Sequence, residues 1–356
     1  MKFGILGSGS WGTAIAKILT DNGNTIHWWN RSEEAIKYIH TRHHNPQYLS
    51  AAHFDITKLK LTTDPAEVIR HSDYIVIAIP SAYTDSALRG LDKNIFAGKK
   101  IISAIKGILP EQNLLLNEYL KKEFNIELNN YFAVLGPCHA EEVAAEKLSY
   151  LTFTGIDEKT TTEIAACFKT HYLNTVENND IYGVQYAAVL KNIYAVGSGI
   201  AHGLDYGDNF LSVLIANSAD EMAGFLRELG VQNIQVGSID HHHTGNPVRT
   251  DLLPGGHKPQ TTNYAASVYL GDLLVTCYSL HSRNRAFGTM IGKGYSVRTA
   301  QLEMSMVAEG YNASKCMHII NQRIKAEMPI AETVHKILWE NLSAAEGFNS
   351  IEQALV

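Results

Sequence analysis

The stretch KFGILGSGSWGTA, residues 2–14, constrains the fold of this chain more than any other. An apolar run of strand length, residues 2–6, passes directly into Gly7-Ser8-Gly9-Ser10-Trp11-Gly12. A helical pattern follows, from about Trp11 to Asn22. In a strand–turn–helix setting each glycine of a GxGxxG has a task. Gly7 permits the tight turn, Gly9 lets the backbone approach a pyrophosphate, and Gly12 lets helix and strand pack closely. The helix start then offers unbonded N–H groups and a positive dipole end to phosphates. The stretch predicts the first βα turn of a doubly wound sheet, with a dinucleotide on it.

The rest of the first half fits that prediction. Residues 25–30, 73–79, 99–105, 131–136, 149–155 and 171–177 read as further strands separated by helical patterns, those at 73–79 and 99–105 as continuous apolar runs. Continuous apolar runs suit strands buried on both faces, and alternation with helices implies a mostly parallel sheet. After the polar ENND at 177–180 nearly every segment favours helix. The expected organisation is an α/β Rossmann-like dinucleotide-binding domain over 1–179 and an all-α substrate and catalytic domain over 180–356. Residues 237–263 are polar, turn-rich and carry the run His241-His242-His243, and they read as an inserted loop.

Composition narrows the function. The net charge is −6 with no basic block, so nucleic acid is not an expected partner, and an anionic ligand needs a local positive site. The four cysteines lack CxxC spacing and read as reduced thiols, which points to the cytoplasm. The start lacks the unbroken apolar core of a signal peptide. No run of about 18–20 apolar residues predicts membrane insertion. The apolar helices are compatible with a homodimer surface.

The chemistry centres on AAVLKNIYAVGSG, residues 187–199. Lys191 shares a helix face with Val184, Ala187, Ala188, Tyr194, Ala195 and Ser198. A desolvated lysine has a lowered pKa and suits proton exchange near neutral pH, while a snorkelling lysine needs no function. Asn192 and Asn217 are candidate polar companions. Asp272, in the apolar helix YLGDLLVTC, is costly without a cationic partner such as Lys191. Lys106 lies just past a strand end, where doubly wound folds bind ligands. Gly136 and Pro137 precede another helix start. Ser282, Arg283, Asn284 and Arg285 open a helix where an arginine and backbone amides hold a phosphate, although one of the two arginines reads as a surface cap. After the second strand come Asn30, Arg31 and Ser32 with no strand-ending acid. Arg31 pairs with a 2′-phosphate or is a solvated loop cation; NADPH is favoured over NADH, with dual use open.

Taken together, GSGSWGTA, AIPS, IKG, GPCHAEE, GVQYAAVLKNIYAVGSGIAHGL, GDLLVTC, SRNRAFG and VAEGY resemble the bacterial type of the NAD(P)-dependent glycerol-3-phosphate dehydrogenases, in family order from residue 7 to about 311. The resemblance implies reversible NAD(P)H-dependent reduction of dihydroxyacetone phosphate to sn-glycerol 3-phosphate for phospholipid synthesis. It implies that Lys191 is the proton donor and acceptor, with Asn192 beside it, that Lys106 touches substrate and coenzyme, and that Asp272 orients the amine. Ser282, Arg283 and Asn284 match contacts to substrate phosphate and coenzyme. Gly7, Gly9, Gly12, Ser10, Trp11, Arg31, Ala140, Val307 and Glu309 match the coenzyme site. Gly136 and Cys138 match substrate-side positions, Cys138 replacing the family's usual hydroxyl with a weak thiol donor.

Two other readings compete. A related lysine-dependent β-hydroxyacid dehydrogenase would take a carboxylate in place of the phosphate. A non-catalytic dinucleotide sensor would not need Lys191 and Asp272 together. The histidine run at 241–243 is consecutive, so its side chains alternate in direction, and no metal is expected there.

Overall fold

The computed structural model describes residues 1–230, 267–304 and 308–356. The histidine run, the whole of 237–263 and Val307 lie outside the described residues. The chain divides into two compact units, Met1–Ile105 with Leu114–Ile181, and Lys106–Asn113 with Tyr182–Val356. The sequence reading keeps Lys106–Asn113 in the dinucleotide domain. Here the segment counts with the helices, where the Lys106 carbonyl accepts a hydrogen bond from Asn192 Nδ2 at 2.7 Å.

The first unit holds the strands β1 (Phe3–Leu6), β2 (Ile26–Trp29), β3 (Leu59–Thr62), β4 (Tyr74–Ile77), β5 (Lys100–Ser103), β6 (Tyr131–Leu135), β7 (Ser149–Thr154) and β8 (Leu173–Asn178). Between them run α1 (Ser10–Asp21), α2 (Glu33–Arg42), α3 (Pro65–Arg70), α4 (Ser81–Leu88), α5 (Leu116–Phe124), α6 (Ala140–Ala144) and α7 (Glu158–Phe168). The strand order is β3-β2-β1-β4-β5-β6-β7-β8, parallel except for the β6–β7 pair. β1 and β6 are buried at every residue, as their unbroken apolar runs require. β3 is absent from the sequence expectation. It is an edge strand in which only Leu59 is fully buried, so its apolar signal is weak.

The order reverses at β1. The chain leaves it through α1 toward β2 and returns on the other side as β4. Such a switch point opens a crevice at the carboxyl ends of the strands, and the glycine turn after Leu6 stands there. Phe3, Ile5, Trp28, Val76, Phe132 and Phe153 belong to the core that fixes this end of the sheet.

Apart from the Lys106–Asn113 segment, the second unit is built of helices and their links among its described residues. It comprises α8 (Ile181–Gly203), α9 (Asp208–Glu228), a π-helical turn at Ser267–Gly271, α10 (Asp272–Tyr278), α11 (Arg283–Gly292), α12 (Val297–Glu303), α13 (Glu309–Ile324), α14 (Pro329–Trp339) and α15 (Ala344–Ala354). α8 is its axis. From Gly183 to Ala201 every residue is buried, so this length of α8 is surrounded by protein on all sides. The seam between α8 and α11 is backbone against backbone. A Cβ on Gly199 would stand 2.1 Å from the Arg285 carbonyl oxygen, and one on Gly288 would stand 2.0 Å from that of Val196.

Candidate active site

Burial of α8 from Gly183 to Ala201 removes the snorkelling reading of Lys191. The side chain has no path along which to snorkel and is 3% exposed. Its ammonium pairs with the Asp272 carboxylate and donates to Thr276 Oγ1 at 3.2 Å. Asp272 and Thr276 sit one turn apart on α10 and so share a face. The Thr276 hydroxyl donates in turn to the Asp272 carbonyl, which leaves its oxygen lone pairs to the amine. Thr276 is a residue the sequence reading missed, and its i+4 spacing from Asp272 is the signal that finds it.

Burial pushes the Lys191 pKa down to about 8, the positive charge of Lys106 pushes the same way, and the attraction of Asp272 opposes both. An amine poised there exchanges a proton readily near neutral pH. The second carboxylate oxygen of Asp272 is buried with no hydrogen-bond partner among the described residues, so the lysine is the carboxylate's main compensation.

A chain of side-chain amides runs beside the ion pair. Asn192 Nδ2 donates to the Lys106 carbonyl. Asn284 Nδ2 donates to Asn192 Oδ1 at 2.8 Å, and the Gly310 N–H donates to Asn284 Oδ1 at 2.9 Å. Each amide has its donor and acceptor ends fixed by its neighbours. The chain ties the Lys106 segment, α8, α11 and α13 to one another. It can close because Gly310 has no side chain; a Cβ there would stand 2.5 Å from the Asn192 carbonyl oxygen. Asn192 and Asn284 therefore hold the frame of the site. Asn217 does not belong to it: the side chain is half-buried and binds the backbone of Val213 and Val356, so its expected companionship with Lys191 is not found.

At the start of α11, Ser282 is the N-cap and accepts from the Arg285 N–H. Arg285 Nη1 donates to the Tyr278 carbonyl at 2.8 Å, capping the end of α10. Of the two arginines, Arg285 is thus the cap, and Arg283 is exposed on the first turn of α11. Lys106 and Glu309 are half-buried in the same unit, Glu309 at the first position of α13.

In the first unit, Gly7 adopts φ +123°, open to glycine and strained for other residues. A Cβ on Gly12 would stand 2.2 Å from the Gly7 carbonyl oxygen, so α1 packs on the turn only because that position is bare. Gly9 is the N-cap of α1 and closes the helix with no side-chain hydrogen bond; a Cβ on it would meet nothing within 4 Å. Ser10 is the first residue of α1, and Trp11 the second. After β2, Asn30 is buried, Arg31 is exposed, and Ser32 caps α2 by accepting from Ala35 N–H. Glu33 and Glu34 occupy the first turn of α2, where acids suit the dipole. Gly136 follows β6 at φ +132°, Cys138 is buried, and Ala140 opens α6.

Among the described residues, His318, His335 and Glu340 bring three donor atoms within 4.8 Å of one another. The two imidazoles stack at 4.1 Å with their planes 2° apart, so their ring lone pairs run side by side without converging. His318 Nδ1 lies 2.8 Å from a Glu332 carboxylate oxygen, which accounts for the cluster as a hydrogen-bonded stack.

Comparison with known proteins gives the family. The family model described as the N-terminus of NAD-dependent glycerol-3-phosphate dehydrogenase matches residues 2–161, and the C-terminal model of that family matches residues 180–349. Glycerol-3-phosphate dehydrogenase [NAD(P)+] of Bacillus subtilis is 32% identical over 98% of this chain and 93% of its own length. The enzyme of that name from Streptococcus equi is 32% identical over 97% of this chain and 94% of its own. The crystal structure of glycerol-3-phosphate dehydrogenase from Coxiella burnetii has a similar fold, with a TM-score of 0.82 over 98% of both chains at 24% identity. The chain belongs to the NAD-dependent glycerol-3-phosphate dehydrogenase family.

Proposed function

We propose that this chain catalyses the reversible reduction of dihydroxyacetone phosphate to sn-glycerol 3-phosphate with NADPH or NADH, supplying the glycerol phosphate of phospholipids in the cytoplasm. The observation that carries the reading is the ammonium of Lys191, on the buried length of α8 and held by Asp272 and Thr276. A sensor of dinucleotides has no use for a desolvated amine set between a carboxylate and a hydroxyl.

The glycine turn fits the coenzyme, since the N-cap of α1 carries no side-chain oxygen and the space beside Gly9 is open. Gly7, Gly9, Ser10, Trp11 and Gly12 would hold the pyrophosphate, Ala140 and Glu309 would complete the contacts, and Arg31 would favour the 2′-phosphate of NADPH. The coenzyme, when bound, supplies the hydride. Lys191 places its charge at the carbonyl oxygen as negative charge grows there, and gives that oxygen its proton. Asp272 and Thr276 fix the direction of the ammonium. Arg283, at the start of α11, holds the substrate phosphate, and that remote binding energy orients the reacting carbon. Lys106, fixed by its own carbonyl to Asn192, adds a second positive charge to the substrate side.

Oxidation of NADPH by the purified chain, followed with dihydroxyacetone phosphate and then dihydroxyacetone, tests the proposal. Loss of the phosphate should lower kcat/KM by about a hundredfold or more, since a charged hydrogen-bonded anchor is removed. Equal rates on the two ketones, or a faster rate on a β-keto acid, would point to the carboxylate-taking relatives and overturn it.

A further inference from the structure

The carbonyl oxygens of the glycine turn are all taken by protein donors, two of them side chains from elsewhere in the unit. Trp28, on β2 and 0% exposed, donates its indole N–H to the Gly7 oxygen at 2.9 Å. Asn45, 4% exposed and beyond the end of α2, donates Nδ2 to the Ser8 oxygen at 3.0 Å. The Gly9 oxygen accepts from the Thr13 N–H at 2.9 Å, which starts the α1 ladder. The Asn45 amide cannot turn over. Its Oδ1 accepts from the N–H groups of Gln47 and Tyr48 at 3.0 and 3.2 Å, and its Nδ2 also donates to Thr13 Oγ1 at 2.9 Å.

A trans peptide plane points its C=O and its N–H in opposite directions. Pinning the oxygens of Gly7, Ser8 and Gly9 therefore fixes the N–H directions of Ser8, Gly9 and Ser10, each opposite to its own pin. Were the Ser8 plane to rotate, a carbonyl dipole would replace an amide hydrogen beside a bound anion, exchanging attraction for repulsion. Hydrogen bonds from preorganised amides hold an anion without the cost of ordering the loop at the moment of binding. We propose that Asn45 and Trp28 are positioning residues for the coenzyme: they hold the glycine turn with its amides aimed at the pyrophosphate. The inference rests on reading that turn as the coenzyme site.

The test compares the wild-type chain with Asn45→Ala and Trp28→Phe by nicotinamide fluorescence titration, alongside thermal unfolding and the KM for dihydroxyacetone phosphate. Both coenzymes carry the same pyrophosphate, so NADPH and NADH should weaken by the same factor, about tenfold, with their affinity ratio unchanged. The KM for dihydroxyacetone phosphate should stay within about twofold, because the pins touch only the coenzyme turn. A purely structural role would lower the melting temperature and leave both affinities intact; that result in folded Asn45→Ala overturns the proposal. Weakening of NADPH alone would place the effect at the 2′-phosphate and overturns it too. Trp28→Phe keeps an aromatic ring in the core and is read in the same way should Asn45→Ala fail to fold. A wild-type chain that binds neither coenzyme overturns the functional reading itself, and that is visible before any variant is made.

Discussion

The two units build their sites from opposite materials. The glycine turn of the first unit is a site of backbone, in which side chains are excluded at Gly7 and Gly12 and amides are what it offers a ligand. The Lys191 site of the second unit is one of side chains. An ammonium, a carboxylate and a hydroxyl from α8 and α10 bond to one another, and two amides from α8 and α11 form a second bonded pair. A backbone site is damaged by adding atoms, and a side-chain site by taking them away.

That contrast can be broken at three points. The largest effect is expected from Lys191→Ala. Loss of the proposed proton donor should cut kcat by about a thousandfold or more, while NADPH affinity, measured on the folded variant by fluorescence titration, stays near wild type. An equal loss of affinity would mean that the amine supports the coenzyme site as well and that the two sites are not separable. Gly12→Ala is the converse. The added methyl would stand 2.2 Å from the Gly7 oxygen, so α1 must retreat from the turn. Affinity for both coenzymes should fall by about thirtyfold, and kcat at saturating coenzyme should fall far less. Tight coenzyme binding by Gly12→Ala would sink the close-approach account.

The third point is pH, where each step is about a tenfold one. With the Lys191 pKa pushed down to about 8, ketone reduction needs the protonated amine and should decline by about tenfold per pH unit above that value. Oxidation of glycerol 3-phosphate needs the neutral amine and should rise through the same region. Stability follows its own sign. Between about 8 and the ordinary 10.5 the unfolded chain holds the proton that the folded one has released, so the contribution of this group to stability rises with pH across that window. Initial rates in both directions across pH 6.5–10, roughly bracketing that window, would expose any other titrating group as an inflection elsewhere.

Legibility in the sequence follows the same divide. The strand, the three glycines and the helix of the first site are contiguous, and local rules suffice to read them. Lys191 and Asp272 were legible from cost alone, because each is hard to bury without the other. Thr276 could be found only once Asp272 was placed on a helix. Trp28 and Asn45 carried no such signal. Their partners are backbone carbonyls in another segment, and an indole or an amide looks the same in sequence whether it faces a turn or fills a core. β3 was missed because an edge strand with one fully buried residue has almost no pattern to show. The Lys106 segment was assigned by chain position, whereas its side-chain partner, Asn192, lies far along the sequence.

The glycine seam between α8 and α11 bears on how this protein could be engineered or could drift. Replacing helical glycines by alanine is a standard route to a hardier enzyme, worth about 1 kcal/mol at an unobstructed position. At Gly199, Gly203, Gly288 and Gly292 the new methyl would lie 2.1, 2.5, 2.0 and 2.3 Å from a carbonyl oxygen of the opposing helix. The usual arithmetic is inverted there. The seam lies along the helix that carries the reactive amine, so heat tolerance has to come from other surfaces of the molecule.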